Sequence, residues 1–588
     1  MTVAPARHFI GGEFRDSLSG QTFDVISPVT EQVVTTAARG DVDDVAAAVK
    51  AATDAFAAGD WSRAKPSFRR QVLMKAADLI DQRYPEINRL EALEMGHPIG
   101  APVQGPSRSA WNLRFFAMEQ ELAGNHSFNR DDNLLTYTMC DPVGTFALIS
   151  PWNAPFMLST WKLGPAIAYG NSVVHKPSEL SPLSIGVLGE IFAEAGLPAG
   201  AYNTVLGFGK EAGAPLVEHP DVIGVSFTGS PATARDIAAR VAPQLKRTSF
   251  ELGGKSAVFV FADADMPKCV ATVAAGIFSN SGQLCIAGSR ILAQRQVYDQ
   301  FLEAFVAESK KWVVGDPMEA STRLGPVVSK AQYDKVMGYI ELARTEGRVL
   351  SGGTRPPGMD TGYFVEPTII VDAAPSARVC QEEIFGPVAV VVPFDSVEEG
   401  LAIANDSEYG LAGYIWTESQ TTAHYVAARL QTGMIWVNCF FERDLRQPFG
   451  GVKHSGLGRE GGGYSREFFT EPKAVAVLAL LRHPPPASRG AAGVNRSRPA
   501  SGRLLSRNPG RRTPGVGATG PSSTPLRCAS PWEGPRAGAP LRRRTRRTRE
   551  LPRTPLPPPH RRTAGRLGSR RDRRRRTCRR TPREQRSR

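Results

Sequence analysis

Between residues 143 and 260, short apolar runs alternate with longer amphipathic stretches. The runs at 143–149, 172–175, 202–206, 222–227 and 256–260 have strand length, and the stretches near 155–168, 182–195, 210–217 and 232–240 repeat apolar residues at helical spacing. Strands separated by helices in this way predict a parallel sheet with helices on both faces. Upstream, residues 8–36 hold short apolar runs broken by Gly11-Gly12, Ser19-Gly20 and Pro28, which suits hairpin-like edge strands. Asp41 is placed to cap a helix whose apolar positions are Val45, Ala48, Val49, Ala52 and Phe56, and similar periodicity predicts helices over 67–83, 86–95 and 107–121. Leu134 to Cys140 alternates and reads as an exposed antiparallel strand. A second α/β stretch runs from 257 to about 440, and a glycine-rich segment with an apolar ending covers 448–480.

Beyond 483 the periodicity stops. Pro, Arg, Gly, Ser and Thr dominate there, with too little apolar surface to offset the entropy of ordering, so the tail is expected to be disordered. Charge separates it from the body. Residues 481–588 contain 31 arginines, no lysine and 4 acidic residues, a net of +27; taken from chain totals of 72 basic and 57 acidic residues, this leaves 41 and 53 in the body, a net of −12. An arginine tail without lysine suits GC-rich sequence translated past a natural end better than an evolved nucleic-acid patch. Nucleic acid is therefore an unexpected partner.

The seven cysteines (140, 269, 285, 380, 439, 528 and 578) form no CxxC pair and lack His partners at zinc spacing, so neither a disulfide framework nor a metal site is expected. The start of the chain lacks a signal-peptide pattern and no run of 18 apolar residues occurs, so a cytoplasmic protein without a membrane span is expected.

Ligands of parallel α/β sheets bind at the carboxyl ends of strands, beside helix N-termini. The loops there are Pro151-Trp152-Asn153, Lys176-Pro177-Ser178-Glu179, Gly207-Phe208-Gly209 and Thr228-Gly229-Ser230. Farther on, Cys285 lies among apolar neighbours with Gly282 and Gly288 three residues to either side, where backbone amides could approach a substrate. A cysteine in that setting is more often an inert core residue than a nucleophile, and its partners decide.

Seven motifs stand in one order: Pro151-Trp152-Asn153-Ala154-Pro155, Lys176-Pro177-Ser178-Glu179, Phe227-Thr228-Gly229-Ser230, Glu251-Leu252-Gly253-Gly254-Lys255, the Cys285 segment, Glu382-Glu383-Ile384-Phe385-Gly386-Pro387, and Pro448-Phe449-Gly450-Gly451. Together, from about residue 8 to 480, they resemble the NAD(P)-dependent aldehyde dehydrogenase superfamily. The resemblance implies an α/β fold with a Rossmann-like NAD-binding domain (1–123 and 143–253), an α/β catalytic domain (254–465) and a small β oligomerisation arm (124–142 and 466–482) that builds a homodimer or homotetramer. It implies Cys285 as nucleophile, Asn153 with the Cys285 amide as oxyanion donors, and Glu251 as general base. For the cofactor it implies Trp152 beside the bound dinucleotide, Lys176 and Glu179 on the adenosine ribose, Gly229 and Ser230 at the pyrophosphate, and Glu383 and Phe385 around the nicotinamide. A carboxylate at Glu179 repels a 2′-phosphate, which favours NAD over NADP. One departure is Ala234, where the family often has a second glycine; a tolerated methyl is expected.

Within the superfamily the sequence is most similar to hydroxymuconic semialdehyde dehydrogenases, especially the 5-carboxymethyl-2-hydroxymuconate semialdehyde type, through Asn133-Leu134-Leu135-Thr136-Tyr137-Thr138, Phe156-Met157, Thr160-Trp161-Lys162 and Arg443-Asp444-Leu445-Arg446-Gln447-Pro448-Phe449-Gly450-Gly451. Such substrates carry carboxylates, and the resemblance places Arg108 and Arg443 on the distal one. Other aldehydes, among them 2-hydroxymuconic semialdehyde and betaine aldehyde-like compounds, are alternatives. A non-catalytic scaffold with a nucleic-acid-binding tail is the alternative of a different class.

Overall fold

The chain opens with a hairpin, His8–Ile10 (β1) and Glu13–Arg15 (β2), then a second antiparallel pair, Thr22–Ile26 (β3) and Val33–Ala38 (β4). Three helices follow: Val42–Ala58 (α1), Pro66–Met95 (α2) and Pro106–Leu122 (α3). Asp41 caps α1 by accepting from the Asp43 and Asp44 amides, and the Asp44 carboxylate accepts in return from the Asp41 amide. The helices expected over 67–83 and 86–95 are one element. Pro85 sits inside α2 and removes a ladder bond, but Leu79 and Ile80 before it and Ile87 and Glu91 after it are buried, so packing on both sides carries the helix through.

The computed structural model describes residues 3–100, 106–128 and 134–478; the tail beyond 483 lies outside them. Among the described residues no helix is long and apolar enough to cross a membrane. Ser127–Phe128 (β5) and Leu134–Pro142 (β6) form a three-stranded antiparallel sheet with Thr470–Leu478, so the strand expected from Leu134 pairs with the far end of the described chain.

The α/β alternation then unfolds much as its pattern requires: Thr145–Ile149 (β7), Pro155–Ala168 (α4), Ser172–Lys176 (β8), Pro182–Ala195 (α5), Tyr202–Thr204 (β9), Ala214–Glu218 (α6), Val222–Thr228 (β10), Pro231–Val241 (α7) and Arg247–Glu251 (β11). The eight-stranded sheet runs β2-β1-β9-β8-β7-β10-β11, with Gly456–Leu457 on the far edge. Strands β9 to β11 are parallel and the edges antiparallel. Strand β11 is too polar to stand out in sequence; its register on β10 sets Glu251 opposite Thr228 at the carboxyl ends.

A correction concerns 256–260. That run, Ala257–Val260 (β12), does not extend the first sheet but begins a second one. Met266–Phe278 (α8) crosses from β12 to its parallel neighbour Arg290–Gln294 (β13). Arg348–Ser351 (β14), Thr368–Val371 (β15), Val388–Phe394 (β16), Ala412–Trp416 (β18) and Met434–Val437 (β19) complete seven strands in the order β14-β15-β16-β13-β12-β18-β19. Tyr409–Gly410 (β17) and Val452–Lys453 (β20) pair separately, and Gly456–Leu457 (β21) and Thr470–Leu478 (β22) are the edge strands already met. An apolar run specifies a buried strand, and the sheet it joins depends on pairing.

The end of α2 does an unusual job. Helices α4 and α5 start at Pro155 and Pro182, and neither Ala154 nor Ser181 caps with its side chain. Buried carboxylates one turn apart on α2 take that role. Glu91 accepts from the Phe156 amide (3.1 Å), and Glu94 accepts from the Leu183 amide (2.6 Å), the Ser184 amide (3.1 Å) and the Ser184 hydroxyl. Glu94→Ala strands three buried donors, so stability should fall by about 2 kcal/mol. The check is a denaturation midpoint that drops at unchanged slope; an unmoved midpoint refutes the cap.

Candidate active site

Past α8 the chain turns sharply at Ser279–Gly282, where Asn280 (φ 51°), Ser281 (φ 54°) and Gly282 (φ 71°) are left-handed in succession. Gly282 has no alternative: a Cβ there would lie 2.0 Å from the Gly386 carbonyl oxygen. The turn presents Cys285, half-buried, with its carbonyl packed on Gly254. Asn153, buried in the β7–α4 loop, meets this turn by donating its Nδ2 to the Gln283 carbonyl at 2.8 Å.

Glu251 enters from the end of β11. It is buried, and neither carboxylate oxygen has a hydrogen-bond partner. A Cβ at Gly450 would stand 2.7 Å from its Oε1, so glycine leaves the carboxylate its room. Burial, and then the Glu460 charge, holds the Glu251 carboxyl well above its ordinary range, while Lys162, Arg459 and Arg443 act against this. Burial, with the Glu383 and Glu251 charges, pushes the Cys285 thiol up to about 12, opposed by the amides of Ile286 and of Cys285 itself. The thiol is therefore protonated at neutral pH with no ligand bound.

Beside this cluster, at the carboxyl ends of β7, β8 and β10, lies a cleft of about 1080 Å³ lined by Trp152, Lys176, Glu179, Gly229 and Ser230 among others. Lys176 is buried, donates to the Pro177 carbonyl at 2.9 Å and stands 3.6 Å from Glu179. Ser230 caps α7 by accepting from the Thr233 amide, which aims that helix N-terminus at the cleft. The Ala234 methyl is buried in the core behind α7 and does not line the cleft. Glu383 accepts from the Gly254 amide at 2.9 Å, and the Phe385 ring meets Trp152 edge-on at 5.4 Å, so this second loop spans nucleophile and cleft.

A family model for the aldehyde dehydrogenase family matches residues 14–475. The chain belongs to the aldehyde dehydrogenase family. This aldehyde dehydrogenase is 44% identical over 480 residues to the 2-aminomuconic semialdehyde dehydrogenase of Danio rerio, covering 80% of this chain and 97% of the relative. It is 41% identical over 482 residues to the 2-hydroxymuconic semialdehyde dehydrogenase of Pseudomonas sp. (strain CF600), covering 80% and 99%. Among solved structures, indole-3-acetaldehyde dehydrogenase in complex with NAD+ aligns at a TM-score of 0.79 with 38% identity, over 80% of this chain and 96% of that one. The NAD+ complex of the Bacillus cereus aldehyde dehydrogenase also aligns at 0.79, with 40% identity, over 81% and 96%.

This aldehyde dehydrogenase also brings two arginines close together. Arg443 sits in the corner of two edge-on rings, Trp161 (4.5 Å) and Phe449 (4.6 Å), and its buried Nη2 has no hydrogen-bond partner. Burial lowers it to about 10, and Arg108 adds to that lowering, so the two guanidiniums are electrostatic neighbours. Arg108 lies over the Phe441 ring at 4.4 Å. Cys439 and Phe440 stand with Tyr414, whose hydroxyl donates to the Ile286 carbonyl at 2.7 Å.

Several residues of the aldehyde dehydrogenase site escape the sequence reading. Lys162 donates to Glu460 (2.7 Å) and Ser226 (2.9 Å) in a buried group beside Glu251. A lysine inside the apolar α4 pattern was the available signal for it. Glu460, in a glycine-rich stretch, gave none. Among the described residues no cluster of three or more His, Cys, Asp or Glu suits a metal ion.

Proposed function

We propose that the chain oxidises an aldehyde to a carboxylic acid, with NAD as oxidant and Cys285 as nucleophile. The observation that carries this reading is the meeting of Cys285, Asn153 and Glu251, from three separate segments, beside a cleft roomy enough for a dinucleotide. Lys176 and Glu179 would hold the adenosine ribose, Gly229 and Ser230 the pyrophosphate, Glu383 and Phe385 the nicotinamide ribose and ring, with Trp152 against Phe385. The eight-stranded sheet serves the cofactor, the seven-stranded sheet the chemistry, and the three-stranded sheet the assembly of a homodimer or homotetramer.

Cys285 Sγ gives up its proton to solvent water and attacks the carbonyl carbon as the thiolate. One N–H of the Asn153 amide is held by Gln283, which leaves the other for the oxyanion together with the Cys285 amide. The hydride on that carbon would go to the nicotinamide of NAD held in the cleft, and Cys285 would be left carrying the acyl group as a thioester. Glu251 then takes a proton from water, which attacks the thioester and releases the acid.

The substrate we propose is a carboxylated muconic-type semialdehyde such as 5-carboxymethyl-2-hydroxymuconate semialdehyde. The named relatives support the class, and the unpartnered Nη2 of Arg443, with Arg108 nearby, supports a distal carboxylate. Arg443→Ala should lower kcat/KM for a dianionic semialdehyde about 100-fold, the scale of a charged hydrogen-bonded pair, and change that of a neutral aldehyde of similar size by less than about threefold. Equal losses, measured by NADH formation, would sink the carboxylate clamp. Equal rates for monoanionic and dianionic semialdehydes would move the assignment to the 2-hydroxymuconic or 2-aminomuconic type.

A further inference from the structure

The two oxyanion donors proposed above belong to different loops. Asn153 sits between β7 and α4, and the Cys285 amide lies seven-stranded-sheet side, after α8. Something must fix their spacing, because such donors act only when placed at the developing charge before it forms.

Asn280 bridges those loops. Its side chain is buried, 3% exposed, and its Nδ2 donates to the Asn153 carbonyl at 2.6 Å and to the Gln283 carbonyl at 3.3 Å. The Gln283 carbonyl is the same atom that receives Asn153 Nδ2. Two residues before Cys285, that carbonyl thus takes one amide from each asparagine, and the backbone and side chain of Asn153 are both tied to the nucleophile turn. The Asn280 carbonyl accepts in turn from the Gln283 amide (3.0 Å) and from Gln283 Nε2 (3.2 Å).

The orientation of the amide is fixed as well. Two carbonyls face one end of it, so that end is the NH2, and Oδ1 faces His97 Nδ1 at 3.3 Å. His97 must therefore carry its proton on Nδ1. Burial lowers the His97 pKa to about 4, which keeps the ring neutral at ordinary pH.

The backbone pays for this arrangement. A non-glycine residue in the left-handed region costs about 1–2 kcal/mol, and both Asn280 and Ser281 adopt it. Asparagine is the side chain that tolerates the conformation while offering two donors. Ser281 stays in place by donating its hydroxyl to the Gly325 carbonyl at 2.7 Å.

We infer that Asn280 is a positioning residue for the oxyanion site, setting the distance between Asn153 and the Cys285 amide through the shared Gln283 carbonyl. This rests on the functional reading given above. Asn280 acts through Asn153 and touches no reacting atom.

The test is a double-mutant cycle on the full chain with NAD and an aldehyde. Asn280→Gly keeps the left-handed backbone and deletes the clamp; Asn280→Asp keeps the shape and replaces the donor with an oxygen that repels both carbonyls. Either should lower kcat about 30- to 100-fold, approaching the effect of losing one oxyanion donor, with KM for NAD changed less than about twofold. In an Asn153→Ala background the same substitutions should cost less than about threefold more, because the donor they position is already gone. Multiplicative losses in the double variants, or single variants with wild-type kcat, overturn the inference. If Glycine at 280 prevents folding, the Asp variant decides by the same criteria. An Asn153→Ala variant of undiminished activity overturns the oxyanion reading itself and the inference with it, whereas a full Asn153 effect with multiplicative Asn280 losses overturns the inference alone.

Discussion

Cys285→Ala is expected to form no NADH from any aldehyde, a loss of more than roughly 10⁴-fold in kcat/KM, since removing a nucleophile leaves only binding and electrostatic assistance. NAD affinity, measured by quenching of protein fluorescence, should stay within about twofold, because Lys176, Glu179 and the α7 N-terminus lie in a cleft to which Cys285 contributes no lining. Residual turnover at a tenth of wild type would remove Cys285 from the chemistry. The electrostatics add a condition. With the thiol pushed up to about 12 by burial and two carboxylates, little thiolate exists before ligands bind, so alkylation of Cys285 should be slow in the free enzyme and change in rate when NAD is added.

Glu251→Gln is expected to separate the two halves of the reaction. The first half needs Cys285 and its donors, so one NADH per active site should appear in a burst; hydrolysis then lacks its base, and steady-state kcat should fall about 10²- to 10⁴-fold. Acid-quenched protein should carry the acyl group. Linear progress without a burst would mean that Glu251 acts before hydride transfer. The pH dependence follows from the same carboxyl. Burial raises its pKa in the folded protein, so the base form grows only as pH rises through that raised value, and wild-type kcat should climb with pH above the ordinary carboxylate range. The glutamine variant should lose that limb, and a limb that survives belongs to another group.

The site was legible where chemistry sits at the ends of regular elements. Asn153, Lys176, Glu179 and Gly229 follow strands whose apolar runs mark their own ends, so the turn residues could be read off in order. The helices 155–168 and 182–195 were equally plain, because each opens on a proline after a polar loop. The reading failed where long-range pairing decides. Strand β11 is polar along much of its length and becomes a strand through its register on β10, while β12 has the apolar profile of its predecessors but pairs with β13. The break expected between 83 and 86 is absent, because the burial on either side of Pro85 that carries the helix through is invisible locally. Asn280 and Glu460 were silent for a related reason: each acquires its place from partners far away in sequence, at Asn153 and at Lys162.

The last turn of α2 carries a wider consequence. Glu91 and Glu94 hold the first turns of α4 and α5, and those helices bear the two loops that present Asn153 on one side and Lys176 with Glu179 on the other. The proposed oxyanion donor and the proposed cofactor contacts therefore hang from one helix end. The same helix end reaches the Arg443 side as well, because Arg443 packs on Trp161 of α4, so a change at Glu91 should be felt on all three sides of the proposed site.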